Sequence, residues 1–495
     1  MMDNIKEVEK TYDTIPYISK SFKKCQPIHL KTMMRMLGFE TPKLLNSRVL
    51  EIGCSFGGNI IPMAIAYPNS EVIGLDLSKV QIDEGNEIIK KIGLKNIKLY
   101  HKNILEYDNE FGKFDYIICH GVFSWVPDEV KEAILRVIKS SLTETGVAVI
   151  SYNTYPGWKR IDVARDLMLF SIDNLVDRSL EVNEKDKVEM GKNAIRFYLN
   201  NSIVDKNMKD VLENLLDKDT HYIYHEYFEK YNDPIYLYQF SKMLEKHGLI
   251  HVVDSSISNS FPNFNNEVKS AINNECGDNR LAKEQYYDFL RNTQFRTSII
   301  THSNNTSKIN LTDNIYLTDL DDIYVRGLYV KEEESWKYGN RNINGNNEEI
   351  FNYLTKIYPK NVQIKTLVEK FGNENYKSIF SLIYNEEIEF NISPRGEKIY
   401  NKFGKNYLNY LKYYLEDNSK ITFSNYKGEI IDISDYFKVI IDFLDTDDIN
   451  SIKVKIIEKF EDGSLVSNGD KSYDELADYI IDNIKNLINF FEFYK

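Results

Sequence analysis

The stretch Arg48-Val-Leu-Glu-Ile-Gly-Cys-Ser-Phe-Gly-Gly-Asn59 constrains the fold more than any other in the chain. An apolar run reaches Glu51 and Gly53, turns through Gly57 and Gly58, and enters a helical pattern; a second short apolar run then ends at Asp76. This is the layout of a nucleotide-binding βαβ unit. Around it, short apolar runs at 49–53, 72–77, 97–101, 114–120 and 147–153 alternate with amphipathic segments such as 78–92 and 129–141. Alternation of this kind predicts a parallel sheet with helices on both faces and ligands beyond the carboxyl ends of the strands.

The chemistry of the turn selects the ligand. Gly53 and Gly57 have no Cβ, so the turn can fold tightly and let a ligand lie against the backbone. Asp76, at the end of the second strand, is placed to accept hydrogen bonds from two ribose hydroxyls. The spacing is G-x-x-x-G rather than the G-x-G-x-x-G that faces a pyrophosphate, and Glu51 stands two residues before the first glycine. A carboxylate there repels a pyrophosphate but suits an ammonium and a sulfonium, which S-adenosylmethionine carries together. Asn103-Ile104, just after the third strand, offers an amide to the adenine edge, with an ordinary turn asparagine as the alternative.

The fourth strand runs into Cys119-His-Gly-Val-Phe-Ser-Trp-Val-Pro127, where a methyl acceptor would meet the cofactor. His120 is the candidate for orienting the nucleophile, with Phe123 and Trp125 as aromatic walls; packing roles are the alternative for each. The Asn/Asp-Pro-Pro-aromatic loop of amide- and nucleobase-methylating enzymes is absent from this position. After the fifth strand, Ser151-Tyr-Asn-Thr-Tyr-Pro-Gly-Trp158 supplies Tyr152, Asn153 and Trp158 as a channel rim, or alternatively as a plug beneath a lid. Tyr12, Tyr17 and Phe22 are expected to form an N-terminal strap over the methionine half of the cofactor, with apolar capping without cofactor contact as the alternative. His221 and His225 are four apart, but no third ligand is evident and no metal is expected.

At 495 residues the chain is long enough for two or three domains. A net charge of −13 gives no general attraction to nucleic acid. Four scattered cysteines without a C-x-x-C pair fit a reducing cytoplasm, and no segment is apolar enough to span a membrane. Long charged helices over 161–231 would form a lid, and strands at 249–256 and 295–302 would complete seven, the last antiparallel. The expected domains are 1–305, with a helical insertion at about 160–232 and a further segment at about 220–302, then a winged-helix-like unit at 306–400 and an α+β helical region at 401–495. Within the last two, helices are expected at 348–357, 364–371, 376–385, 435–444 and 473–491, with a short strand at 387–392.

With these motifs in view, the chain resembles the rickettsial-type protein lysine methyltransferases, within the class I methyltransferases that carry a methyltransferase regulatory domain. The match is carried by Tyr12-Asp-x-x-Pro-Tyr17 with Gln26-Pro27, the turn from Glu51 to Asn59, Asp76-Leu-Ser-x-x-Gln81, His120-Gly-Val-Phe-Ser-Trp-Val-Pro127 and Ser151-Tyr-Asn-Thr-x-Pro-Gly-Trp158. His225-Glu-Tyr-Phe-Glu-x-x-Asn232, Tyr286-x-Asp-Phe-Leu290 and Arg291-Asn-x-Gln-Phe-Arg296 extend it. Phe56 departs from the small residue the family shows in the glycine turn. The resemblance implies a Rossmann-like seven-stranded α/β fold and adds Cys54, Ser55, Asn59, Leu77, Gln81, Ile104 and the His120 backbone as cofactor contacts. It also implies a cytoplasmic enzyme that methylates lysine side chains of a surface protein before export. A small-molecule methyltransferase and a non-catalytic cofactor-binding regulator are the alternatives.

Overall fold

The computed structural model describes residues 18–173, 182–203, 205–312, 315–333, 335–343, 347–394, 403–445, 449–466 and 471–490. Seven strands form the central sheet: β1 (Arg48–Ile52), β2 (Glu71–Asp76), β3 (Ile97–His101), β4 (Phe114–Cys119), β5 (Leu142–Asn153), β6 (Leu249–Asp254) and β7 (Phe295–His302). Their order is β3-β2-β1-β4-β5-β7-β6, with β7 antiparallel to both neighbours. Strand order reverses at β1/β4, so the loops after these strands open the crevice in which such sheets bind ligands. The seventh strand thus inserts between the fifth and sixth rather than closing the edge, and β5 begins five residues before the apolar run that signals it.

The central strands β1, β4 and β5 are buried on both faces, as crossover helices require, while the edge strand β3 exposes Lys98 and His101. Alternation along the strands assigns Val49, Val72, Tyr116 and Val149 to one apolar cluster and Leu50, Ile73, Ile117, Ile150 and Tyr152 to the other. Helices α1 (Pro27–Arg35), α2 (Ile61–Ala66) and α3 (Lys79–Ile92) cover the first face; α4 (Asp128–Ser141) covers the second. Ser78 caps α3 through its hydroxyl and Gly93 stops it with a left-handed φ of 85°.

The lid comprises α5 (Trp158–Asp173), α6 (Glu184–Asn201), α7 (Lys206–Leu216) and α8 (Thr220–Tyr227), with an apolar centre of its own. The chain returns through α9 (Leu237–Lys246), whose Phe240 and Leu244 join the cluster under α4, and then α10 (Ile257–Ser260), α11 (Asn266–Cys276) and α12 (Arg280–Arg291) lead into β7.

Beyond residue 310, two three-stranded sheets are built from β8 (Tyr324–Arg326), β9 (Tyr329–Glu332), β10 (Ser335–Tyr338), β11 (Arg341–Ile343), β12 (Val362–Gln363) and β13 (Glu389–Asn391). With them pack α13 (Glu348–Ile357), α14 (Ile364–Phe371) and α15 (Asn375–Tyr384), within a residue of the sequence expectation. The helices α16 (Lys405–Glu416), α17 (Tyr436–Ile440), α18 (Ile449–Glu461) and α19 (Tyr473–Phe490) follow. The first apolar cluster runs without a break from Val49 and Ile61 into Tyr407, Leu411 and Ile421, so the C-terminal region shares a core with one face of the sheet. Among the described residues, no helix is long and apolar enough to cross a membrane.

Candidate functional site

The turn after β1 is shaped by three residues with left-handed backbones: Gly53 at φ 78°, Ser55 at 50° and Gly57 at 83°. Gly53 and Cys54 both donate their N–H groups to the Leu75 carbonyl, which pins the turn against the end of β2. Ser55 lacks a glycine's freedom in this region, and its buried Oγ has no hydrogen-bond partner. What it gains is a backbone N–H aimed at Asp76 Oδ2, at 2.7 Å. Asp76 Oδ1 accepts from the Ser78 N–H at 2.9 Å. Each carboxylate oxygen has a second lone-pair direction, so Asp76 is oriented by the backbone and retains acceptor capacity for a diol. Burial raises its pKa, against these hydrogen bonds.

Glu51 is buried, and burial pushes its pKa up to about 8. Its Oε1 accepts from Asn59 Nδ2 at 2.6 Å, while Oε2 has no partner. Asn59 is the hub of the site. Its Oδ1 accepts from the Phe22 N–H at 2.9 Å and from Gln26 Nε2 at 2.7 Å. Gln26 is fully buried as well, and its Oε1 also has no partner. Two buried acceptors linked through one asparagine, one of them a carboxylate, fit an ammonium donor such as that of the S-adenosylmethionine methionyl group.

Tyr12 and Tyr17 lie outside the described residues; among those described, the N-terminal segment meets the turn and the β4 loop through Ser19, Phe22, Cys25 and Gln26. A Cβ on Gly58 would lie 2.4 Å from the Ser19 carbonyl oxygen, so it is Gly58 that admits the strap backbone to the turn. On its other side Ser19 donates to the Lys420 carbonyl and accepts from the Thr422 N–H. At Gly53 a Cβ would meet Val122 Cγ2 at 2.3 Å, which brings the β4 loop directly over the turn.

His120 follows β4 and sits beside the strap. Its ring centroid is 3.9 Å from that of Phe22 and 6.0 Å from that of Phe295, and its Nδ1 is 3.4 Å from Cys25 Sγ. Burial lowers its pKa to about 4, so it is a neutral imidazole at pH 7.

The other expected residues separate into two groups. Cys54 is buried, packed where a Cβ on Gly74 would approach its sulfur to 2.6 Å, and Gln81 is buried at the start of α3. Leu77 is half-buried beside Asp76. Asn103 caps a short turn, its Oδ1 accepting from the Leu105 N–H at 3.1 Å, while Ile104 is buried below. Phe123 and Tyr152, by contrast, lie in the core with Phe240, at centroid distances of 5.6 and 4.4 Å. The Tyr152 hydroxyl is held by Ser298 at 3.2 Å. Strand alternation places Tyr152 in the apolar cluster shared with α4 and α9. Trp125 is half-buried, and Trp158 is in the apolar centre of the lid. Asn153 pairs with Asn232, its Nδ2 donating to Oδ1 at 3.1 Å. His225 is buried against Glu229, and the His221 side chain lies outside the described residues. No cluster of three metal-ligating side chains occurs among the described residues.

The sequence singled out Asn59 and the Gln26-Pro27 pair but not the hydrogen bond between Gln26 and Asn59, which joins positions 33 apart. It also did not foresee that Asp288 and Arg296, from two neighbouring motifs, pair with each other. Arg296, wholly buried, donates from Nε and Nη2 to the two Asp288 oxygens at 2.8 and 2.9 Å, and from Nη1 to Glu284 at 3.2 Å. Asp254, Arg280 and His251 complete this ionic network between β6, β7 and α12.

Residues 45–159 match a family model described as a methyltransferase domain, and residues 219–302 match a predicted methyltransferase regulatory domain. The uncharacterized protein RP028 of Rickettsia prowazekii (strain Madrid E) is 36% identical over 251 residues, 49% of this chain and 97% of its own length. The uncharacterized protein RP789 of the same organism is 39% identical over 305 residues, 60% of this chain; the chain matches about half of that relative, 53% of its length. In three dimensions, PKMT2 from Rickettsia typhi in complex with AdoHcy is similar over 96% of this chain and 99% of its own, at 26% identity and a TM-score of 0.78.

Proposed function

We propose that this chain, which belongs to the class I methyltransferases carrying a methyltransferase regulatory domain, transfers methyl groups from S-adenosylmethionine to lysine side-chain amines of a protein. The observation that supports it most is the likeness of nearly the whole chain to PKMT2, a name that fits a protein-lysine methyltransferase, over a site whose open acceptors suit an ammonium.

The bound cofactor supplies a sulfonium methyl group already activated for displacement. The protein's share of the work is alignment and exclusion of water. Asp76 holds the ribose, Glu51 and Gln26 hold the ammonium, and Cys54, Ser55, Leu77, Gln81, Asn103 and Ile104 line the remainder. Glu51 must be ionised to do this, and an adjacent cation lowers its pKa from the raised value. The strap, locked by Asn59, covers the methionyl end.

An acceptor lysine has to arrive as the neutral amine, whereas free lysine is mostly protonated at neutral pH with pKa ≈ 10.4. Phe22, Phe295 and the neutral ring of His120 make a poorly solvating wall, which disfavours the ammonium form. With its pKa near 4, His120 is too weak a base to hold the amine's proton at pH 7. It serves as a hydrogen-bond acceptor that orients the nucleophile. Trp125 and Asn153 edge the approach, while Phe123 and Tyr152 support the β4 loop from below.

The test is to incubate the full chain with methyl-labelled cofactor and a lysate separated into protein and small-molecule fractions. Label is expected on protein and, after hydrolysis, in methyllysine. Label confined to small molecules would remove the lysine reading and leave the methyltransferase.

A further inference from the structure

A cavity of about 410 Å³ lies at the far edge of the sheet from β3, walled by α10 to α12 on one side and by the 315–320 segment and α15 on the other. That volume falls within the range of roughly 300–1,000 Å³ typical of small-molecule sites. In a chain of net charge −13 its lining is basic: among the described residues, Lys269, Arg280, Lys283 and Lys377 stand against one acid, Glu284. Glu284 is already committed, with Arg280 at 2.9 Å, His251 at 3.1 Å and Arg296 at 3.2 Å. The local field is therefore positive.

Arg280 is paired with Glu284, its Nη2 standing 2.9 Å from Oε1, and with three lysines beside it the wall presents cationic donors to an anion. The walls also carry flat faces. Tyr287 is held in place by Phe264 stacked on its outer side at 5.4 Å, and Phe261 meets Phe380 edge-on at 6.3 Å across the two walls. Tyr384 closes the mouth by accepting a hydrogen bond from the Asn263 N–H.

We propose that this cavity binds a small organic anion carrying a flat ring, the chemistry of a nucleoside monophosphate. The phosphate meets Arg280 and the lysines, and the ring lies against Tyr287 and Phe380. Because Glu284 joins Arg280 to Arg296 on β7, next to β5, the occupied site adjoins the network that fixes the carboxyl end of the sheet. The site is separate from the turn after β1 and does not depend on the function proposed above.

Calorimetric titration of the full chain with uridine 5′-monophosphate tests this, with S-adenosylhomocysteine present in excess so that the adenosine site is blocked. Binding of S-adenosylhomocysteine is recorded first, so that its failure would count against the cofactor reading alone. Uridine monophosphate is expected to bind, and Lys269→Glu with Lys377→Glu to weaken it at least tenfold. Lys269 is partly exposed and Lys377 exposed, so an unchanged unfolding midpoint confirms that the variant folds. No heat with the wild type, or equal affinity in wild type and variant, would overturn the proposal.

Discussion

Two regions of this molecule bury carboxylates, and they treat them in opposite ways. Around Arg296 every buried charge faces an opposite one: Asp288 and Glu284 touch the guanidinium directly, and Arg280 and His251 lean on Glu284 from the other side. Around Glu51 no cation of the chain makes an ion pair among the described residues, and one carboxylate oxygen is left open. Burial accordingly pushes Glu51 up to about 8, whereas Glu284, equally buried, is held below the usual carboxylate range by its cationic neighbours. The Arg296 network holds two strands and a helix together. The Glu51 site keeps an acceptor oxygen that, in the proposed function, a cofactor ammonium fills.

The largest expected effect comes from breaking the paired region. Arg296→Ala leaves three carboxylates facing one another and should lower stability by about 3–5 kcal/mol, read from urea unfolding. Replacing Asp288 and Arg296 together by Leu and Met should recover much of that loss. A single-site loss under about 1 kcal/mol would show that the network is not holding the sheet.

At the open region the effect has the opposite sign. Glu51 binds its proton up to about pH 8 in the folded chain but only to the ordinary glutamate value of 4.5 when unfolded. Between these values the folded state holds more protons, so without cofactor stability falls as pH rises through the window, then levels off. Glu51→Gln removes that term. The variant should gain on the wild type by up to ~1.4 kcal/mol per pH unit across the window, followed by thermal or urea unfolding. Parallel pH profiles would mean that Glu51 is already ionised by a partner in the protein. The smallest effect is expected at Ser55, where glycine relieves a left-handed backbone and an orphaned hydroxyl. Ser55→Gly should stabilise the protein without ligand by about 1 kcal/mol, and a loss would show that the hydroxyl has a partner.

The same contrast explains what could be read from the sequence. The seven strands and the cofactor turn were legible because each is local: an apolar run, a glycine at positive φ, an acid at a strand end. The open acceptors were half legible, since Glu51 stands in the motif but Gln26 reaches it only by folding back across β1. The aromatic residues after β4 and β5 were expected together near the methyl acceptor. Alternation in β5 instead turns Tyr152 into the core, and Phe22 and Phe295, distant in sequence, take their place around His120. In the C-terminal region α16 and α18 went unread, and for α16 the tyrosine-rich pattern of 405–416 does not separate an apolar stripe from a polar one.

The central claim is that Glu51, Gln26 and Asp76 together hold S-adenosylmethionine. Calorimetric titration of wild type and Asp76→Ala with S-adenosylhomocysteine tests it most directly. The wild type is expected to bind more tightly at pH 9 than at pH 6.5, and Asp76→Ala to lose at least ~2 kcal/mol of binding, in keeping with removal of a charged hydrogen-bonding partner. Equal affinity in the two proteins, with no pH dependence in either, would contradict it.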